Sequence, residues 1–194
     1  MDSFANLSHS LYLSPARWRD PGHAQPSALR LFSFHVLPFS FIPVAVLYLL
    51  KTGDAGLVQF LFTTVTHSQL LTILATFWMV QLLGVPLMAF LIQRLGDVID
   101  AVISYREAFA IAALAPTPLW LASLFLFVPS VSFYILVFSL AVVATGVLIF
   151  RLVPQILRPE DEGQAPLLSG AIFIAGLVGL VILRVLTHLI WSAA

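Results

Sequence analysis

Apolar residues fall into five long runs, at roughly 28–50, 70–93, 107–128, 131–152 and 167–191, separated by short polar or Pro/Gly-bearing segments. Each run supplies the ~20 residues that a helix needs to cross the ~30 Å hydrocarbon core of a bilayer. The connectors at 51–56, Pro129-Ser130 and 158–163 carry turn residues. Two connecting segments carry an apolar stripe of their own. Leu95, Val98, Ile99, Val102 and Ile103 recur at helical spacing opposite Arg94, Asp97, Asp100 and Ser104, and Leu57, Val58, Leu61, Phe62 and Val65 do the same opposite Gln59, Thr63 and Thr66. Such stripes predict short helices lying at the membrane surface, the first of them continuing the second span along the cytoplasmic interface. In the polar tail, Ser14-Pro15 is a helix-start pair, and Trp18 between Arg17 and Arg19 suits a headgroup anchor. The expected architecture is all-α: an interfacial tail over 1–27 and a five-helix membrane domain over 28–191.

Composition strengthens this reading. Hydrophobic residues make up 60% of the chain and charged residues 9%, far from the roughly 45–50% and 25% of soluble domains. Nine basic and nine acidic residues cancel, which removes the electrostatic pull that nucleic acid would require. With no cysteine, disulfides, thiolate catalysis and cysteine-bound zinc are excluded. The tail lacks the basic start, short apolar core and small-residue cleavage site of a signal peptide, so no cleaved leader is expected.

Charge then sets orientation, because lysine and arginine stay on the cytoplasmic side. Arg17, Arg19, Arg30, Arg94, Arg106, Arg151 and Arg158 fall on the side of the amino terminus, against Lys51 alone on the other. The amino terminus is expected in the cytoplasm and the carboxyl terminus outside. The bias toward arginine over lysine is that of a GC-rich bacterial genome, and the expected location is a bacterial inner membrane.

The third run contains Ala113-Leu-Ala-Pro116-Thr117-Pro118. Each proline removes an amide and presses on the carbonyl four residues back, here those of Ala112 and Leu114. In lipid those carbonyls must be met by a neighbouring helix, by Thr117, by water or by altered helix geometry, so the break is expected to face protein or a wet cavity. Ala108, Ala112 and Ala115 form a small-residue stripe on this helix, and Ala171, Ala175 and Gly179 a matching one on the last, both expected inside the bundle and candidates to meet each other.

Signatures of soluble enzymes are missing: the chain has no His-Glu-x-x-His, phosphate loop, dinucleotide fingerprint or serine elbow. The histidines at 9, 23, 35, 67 and 188 never share the spacing of a metal site. No catalytic residue, metal or cofactor is expected. Polar side chains at depth are the better lead: His35, Gln81 and Thr117 near the break, Thr145 in the fourth run, and Arg184 with His188 one turn apart on the last, where snorkelling toward the outer surface competes with a buried role. At the cytoplasmic mouth, Asp97, Asp100, Arg106 and Glu107 form either local charge pairs or the face of a cytoplasmic partner.

Ser14-Pro15 in the tail, five spans in order, Pro116-Thr-Pro-Leu119, Pro154 after the fourth span and the acidic Glu162-Gly163 loop together resemble the Yip family, membrane proteins named for interaction with Ypt/Rab GTPases, and in particular its short prokaryotic branch. The likeness runs from about Leu13 to Leu189. Family members often carry Gly-Tyr before the third-span proline, where Ala113-Leu114 stand here, and the eukaryotic Asp-Leu-Tyr-Gly-Pro tail motif is absent. The resemblance implies a five-span scaffold or adaptor with a cytoplasmic amino terminus. The expected function is thus non-enzymatic, through contacts with membrane lipids, with a membrane or cytoplasmic protein, or with further copies of the chain. The rival is a small transporter, channel or lipid-translocating protein whose cavity lies at the broken third helix.

Overall fold

The computed structural model describes residues 27–53, 66–98, 103–157 and 163–193. Among them every regular element is a helix, and five helical stretches are long and apolar enough to cross a membrane.

The first span begins at Ser27, whose hydroxyl accepts the Arg30 amide, and comprises α1 (Ala28–Leu31), a π-helical turn (Phe32–Val36) and α2 (Leu37–Thr52). Pro38 accounts for the irregular turn. It has no amide to offer the Phe34 carbonyl, and just before it the backbone widens so that the Leu37 amide bonds five residues back, to Phe32. A wide turn of this kind re-aims the side chains it carries, and here it holds His35 buried.

The second span, α3 (His67–Val98), is one unbroken helix of 32 residues that runs through Pro86. At 1.5 Å per residue it is about 48 Å long, so it projects beyond the hydrocarbon layer. Residues 93–98 continue it, as the sequence reading expects of the start of that surface segment. The rest of that segment (99–102), the tail and the stripe at 57–65 lie outside the described residues.

Ser104 opens the third span with a capping box. Its hydroxyl accepts the Glu107 amide, and the Glu107 carboxylate accepts the Ser104 amide and hydroxyl, which satisfies otherwise orphaned donors. Here α4 (Tyr105–Leu114) stops at Ala115-Pro116, α5 (Thr117–Ala122) follows, and a 3₁₀ segment (Ser123–Phe127) ends the span. The chain turns at extended Val128 and at Pro129, around which the Ser130 amide donates to the Val128 carbonyl, and Ser130 caps α6 (Val131–Ile156), the fourth span. This helix continues past the apolar run and includes Pro154, which sequence placed after its end. The fifth span is α7 (Gln164–Ala193).

The third span is the hub. It packs against the first, second and fourth, while α7 packs on α3 and α6. Of its apolar window 56% is buried, against 22% for the fourth span and 17% for the fifth. Alanine makes this arrangement work: Ala108, Ala110, Ala112, Ala113 and Ala115 are all buried and admit Val36, Val85, Ala89, Ile92, Ile149, Val153, Leu168 and Ile172 to one core. Lipid is as apolar as leucine, so association rests on close packing and interhelical hydrogen bonds, and small residues permit both.

The fifth-span stripe is placed differently from the sequence expectation. Ala171 and Ala175 are half-buried and Gly179 is exposed, because α7 turns Leu168, Ser169 and Ile172 to the core instead. Its close approach to the fourth span is made by Phe173 against Gly146, where an added Cβ would lie 3.2 Å from the ring.

Candidate functional site: a polar centre at the broken third helix

Thr117 begins α5 directly after the break. Its hydroxyl donates to the Leu114 carbonyl at 2.7 Å, replacing the amide that Pro118 lacks. The same oxygen lies 2.9 Å from His35 Nε2. A hydroxyl has one proton, and a carbonyl can only accept. Thr117 Oγ1 therefore accepts from His35, which fixes the neutral ring as the Nε2–H tautomer. The chain His35 Nε2–H, Thr117 Oγ1–H, Leu114 O joins the π turn of the first span to the break of the third.

Trp120, one turn further on, donates its indole N–H to Gln81 Oε1 at 2.9 Å. An indole only donates, so this bond orients the amide and turns the two N–H groups of Gln81 Nε2 away from Trp120. That nitrogen is buried and has no hydrogen-bond partner. The Trp120 carbonyl accepts Ser123 Oγ at 2.6 Å. The His35 ring stacks 4.6 Å from Phe39 and lies 6.4 Å from Trp120. Toward the other surface, Trp78 Nε1 donates to Ser40 Oγ at 3.1 Å, and Ser40 donates to the Leu37 carbonyl. The first and second spans are thereby clipped together as well.

The structure thus brings His35, Thr117 and, through Trp120, Gln81 around the break, with Ala113 buried beside it. Trp120, Trp78 and Ser40 are not singled out by the sequence reading, although a buried tryptophan seeks an acceptor, and Trp120 sits one turn from Thr117 while Trp78 sits one turn from Gln81. Thr145 is buried on the fourth span, and its hydroxyl also has no partner. His35 is the one ionisable side chain of this set, so the centre can position and hydrogen-bond a neutral group, and it holds no pair of acids or bases.

A family model described as the Yip1 domain matches residues 9–183, nearly the whole chain. The chain belongs to the Yip family. Comparison with curated proteins and with solved structures yields no match. The polar centre lies wholly inside the Yip1 match, and five membrane-crossing helices make this Yip protein an integral membrane protein.

The remaining candidate residues of the Yip chain disperse. Glu107 serves the capping box, and exposed Asp97 lies 3.4 Å from Arg94, which also covers the Phe90 ring at 4.9 Å. Arg106 is exposed. Gln93 reaches across the interface to the Ile103 carbonyl. Asp100 and the side chains of Arg184 and His188 lie outside the described residues.

Proposed function

We propose that this Yip-family chain is a non-enzymatic scaffold or adaptor of a bacterial inner membrane, acting through lateral contacts with protein or lipid, with its amino terminus in the cytoplasm. The observation that carries the reading is the state of the third helix. It is the most buried span, and its break is closed by Thr117 and His35, so the side chains with most chemistry are largely committed to joining helices. What remains for partners is the apolar flank of the fourth and fifth spans, where Ile135, Leu136, Val143, Ile174, Val178 and Val181 are exposed. The excess of arginine at one set of span ends supports the orientation. Photo-crosslinkers placed at Ile135, Val143, Ile174 and Val181 in native membranes test it. The expected result is a discrete product with one protein, a second copy of the chain or a selected lipid, and adducts no different from those of an unrelated span would overturn it.

A second reading, a small translocating protein, draws support from one observation: Gln81 and Thr145 each bury a polar atom with no partner in the middle of a span. Solute or lipid flux in liposomes tests it directly. Rates equal to protein-free vesicles would end it.

A further inference from the structure

Two buried hydrogen-bond donors near the broken third helix are left without partners, and they come from different spans. Gln81 is 9% exposed and Thr145 8%. The Gln81 amide is held by its oxygen, so both N–H groups of Nε2 are on offer. Thr145 has an alternative that it does not take. Thr72, Thr76, Ser139 and Ser169 each donate to the carbonyl four residues back on their own helix, but the Thr145 hydroxyl makes no such bond. It shares the inward stripe of α6 with Ala141, Ile149, Val153 and Ile156.

Height along the membrane puts Thr145 at the depth of the break. From the turn at 128–130, the 3₁₀ segment at about 2.0 Å per residue and α5 at about 1.5 Å raise Thr117 by about 19 Å. The fourth span reaches Thr145 about 21 Å from Val131 at the same α-helical rise. The two spans are antiparallel neighbours, and α5 and α6 are in contact. Trp120 ties Gln81 to a level one helical turn, about 4.5 Å, nearer the 128–130 turn.

We propose that Gln81 Nε2 and Thr145 Oγ1 are donors of a binding site beside the third-helix break for a neutral ligand that presents a carbonyl or ester oxygen. The chemistry on offer is three N–H or O–H protons. Arg94 and Arg106 lie at the ends of their spans, and at the depth of the break the side chains named here are neutral in the tautomer assigned to His35. An anion would be desolvated there without a countercharge, at large cost, whereas a carbonyl oxygen, with two lone pairs, can accept one proton from Gln81 Nε2 and one from Thr145 Oγ1 with no charge buried. Such an oxygen belongs either to a lipid ester or to a soluble carbonyl compound. The inference goes beyond the scaffold reading, because a ligand seated there completes the core whether or not it is ever moved.

The test is native mass spectrometry and thermal melting of the whole protein in nanodiscs of phosphatidylethanolamine and phosphatidylglycerol, comparing wild type with Thr145→Val, Thr145→Ser and Thr72→Val. The expected result is one retained organic mass in wild type, in Thr145→Ser and in Thr72→Val. Thr145→Val should lose it and melt at a lower temperature. A mass equal to one of the supplied lipids identifies the ester source, and an unrelated mass the soluble one. The proposal is overturned if wild type retains no organic mass, if Thr145→Val keeps it, or if Thr145→Val melts at or above wild type, as removal of a merely stranded hydroxyl would make it do.

Discussion

Replacing Thr117 by valine keeps the shape and β-branching of the side chain and removes one oxygen. That oxygen accepts from His35 Nε2–H and donates to the Leu114 carbonyl, so the variant strands two groups at once without opening a cavity. A buried donor or acceptor left unmade costs about 1–3 kcal/mol. Interhelical hydrogen bonds in membranes average nearer ~0.6 kcal/mol and reach ~1.7, because the unfolded chain in lipid also finds partners. Two groups between these bounds give an expected loss of about 2–4 kcal/mol. Equilibrium unfolding in mixed micelles, followed by tryptophan fluorescence, reads it. Thr117→Ser, which keeps the hydroxyl, should recover most of the loss. Thr76→Val removes an exposed hydroxyl that only bonds its own helix, and should stay within about 0.5 kcal/mol of wild type. A cycle with His35→Leu should show the two sites coupled. If Thr117→Val is as stable as Thr76→Val, the break is not held by this residue, and the account of the third helix falls.

Three further outcomes follow from the same structure. Gly146→Leu should fail to assemble or unfold early in the same assay, because its side chain must displace Phe173, whereas Gly176→Ala, with open space around the new Cβ, should be neutral or gain up to about 1 kcal/mol of helix stability. Ser104→Ala should cost about 0.5–2 kcal/mol through the lost cap, with Glu107→Gln much milder because glutamine still completes a capping box; melting temperatures compare them. The cysteine-free sequence makes topology directly readable: Arg106→Cys should react with an impermeant maleimide only from the cytoplasmic face, and Lys51→Cys only from the outside.

The five spans are legible in the sequence because bilayer thickness imposes a length on apolar runs, and nothing else in a chain of this size calls for so many. Their ends are less so. The helices run several residues past the apolar windows at Leu152 and Gln93, because hydrogen bonding carries a helix on into the interface where hydropathy no longer marks it. The capping box at the start of the third span is present in the sequence as Ser104-Tyr-Arg-Glu107, and it gives Glu107 a local role that the reading of a charged partner face passes over. His35, Gln81 and Thr117 are recognisable as polar residues at depth. That His35 meets Thr117, 82 residues away, depends on the π turn and on how the first span lies across the third, and no spacing in the chain encodes it. The fifth-span stripe makes the converse point. Small residues at helical intervals permit close approach, but the face that turns inward is the one on which Leu168 and Ile172 pack into the core.

The central claim is that the broken third helix lies inside the bundle, held by its neighbours, and does not line an aqueous path. A cysteine scan from Ala108 to Phe125 in native membranes, probed with a water-soluble maleimide and with a lipid-phase label, tests it most directly. Positions 108, 112, 113 and 117 should resist both reagents, while Leu121, Leu124 and Phe125, exposed on the flank, take the lipid-phase label. Ready reaction of positions 113 and 117 with the water-soluble reagent would contradict the claim and make the break the wall of a channel.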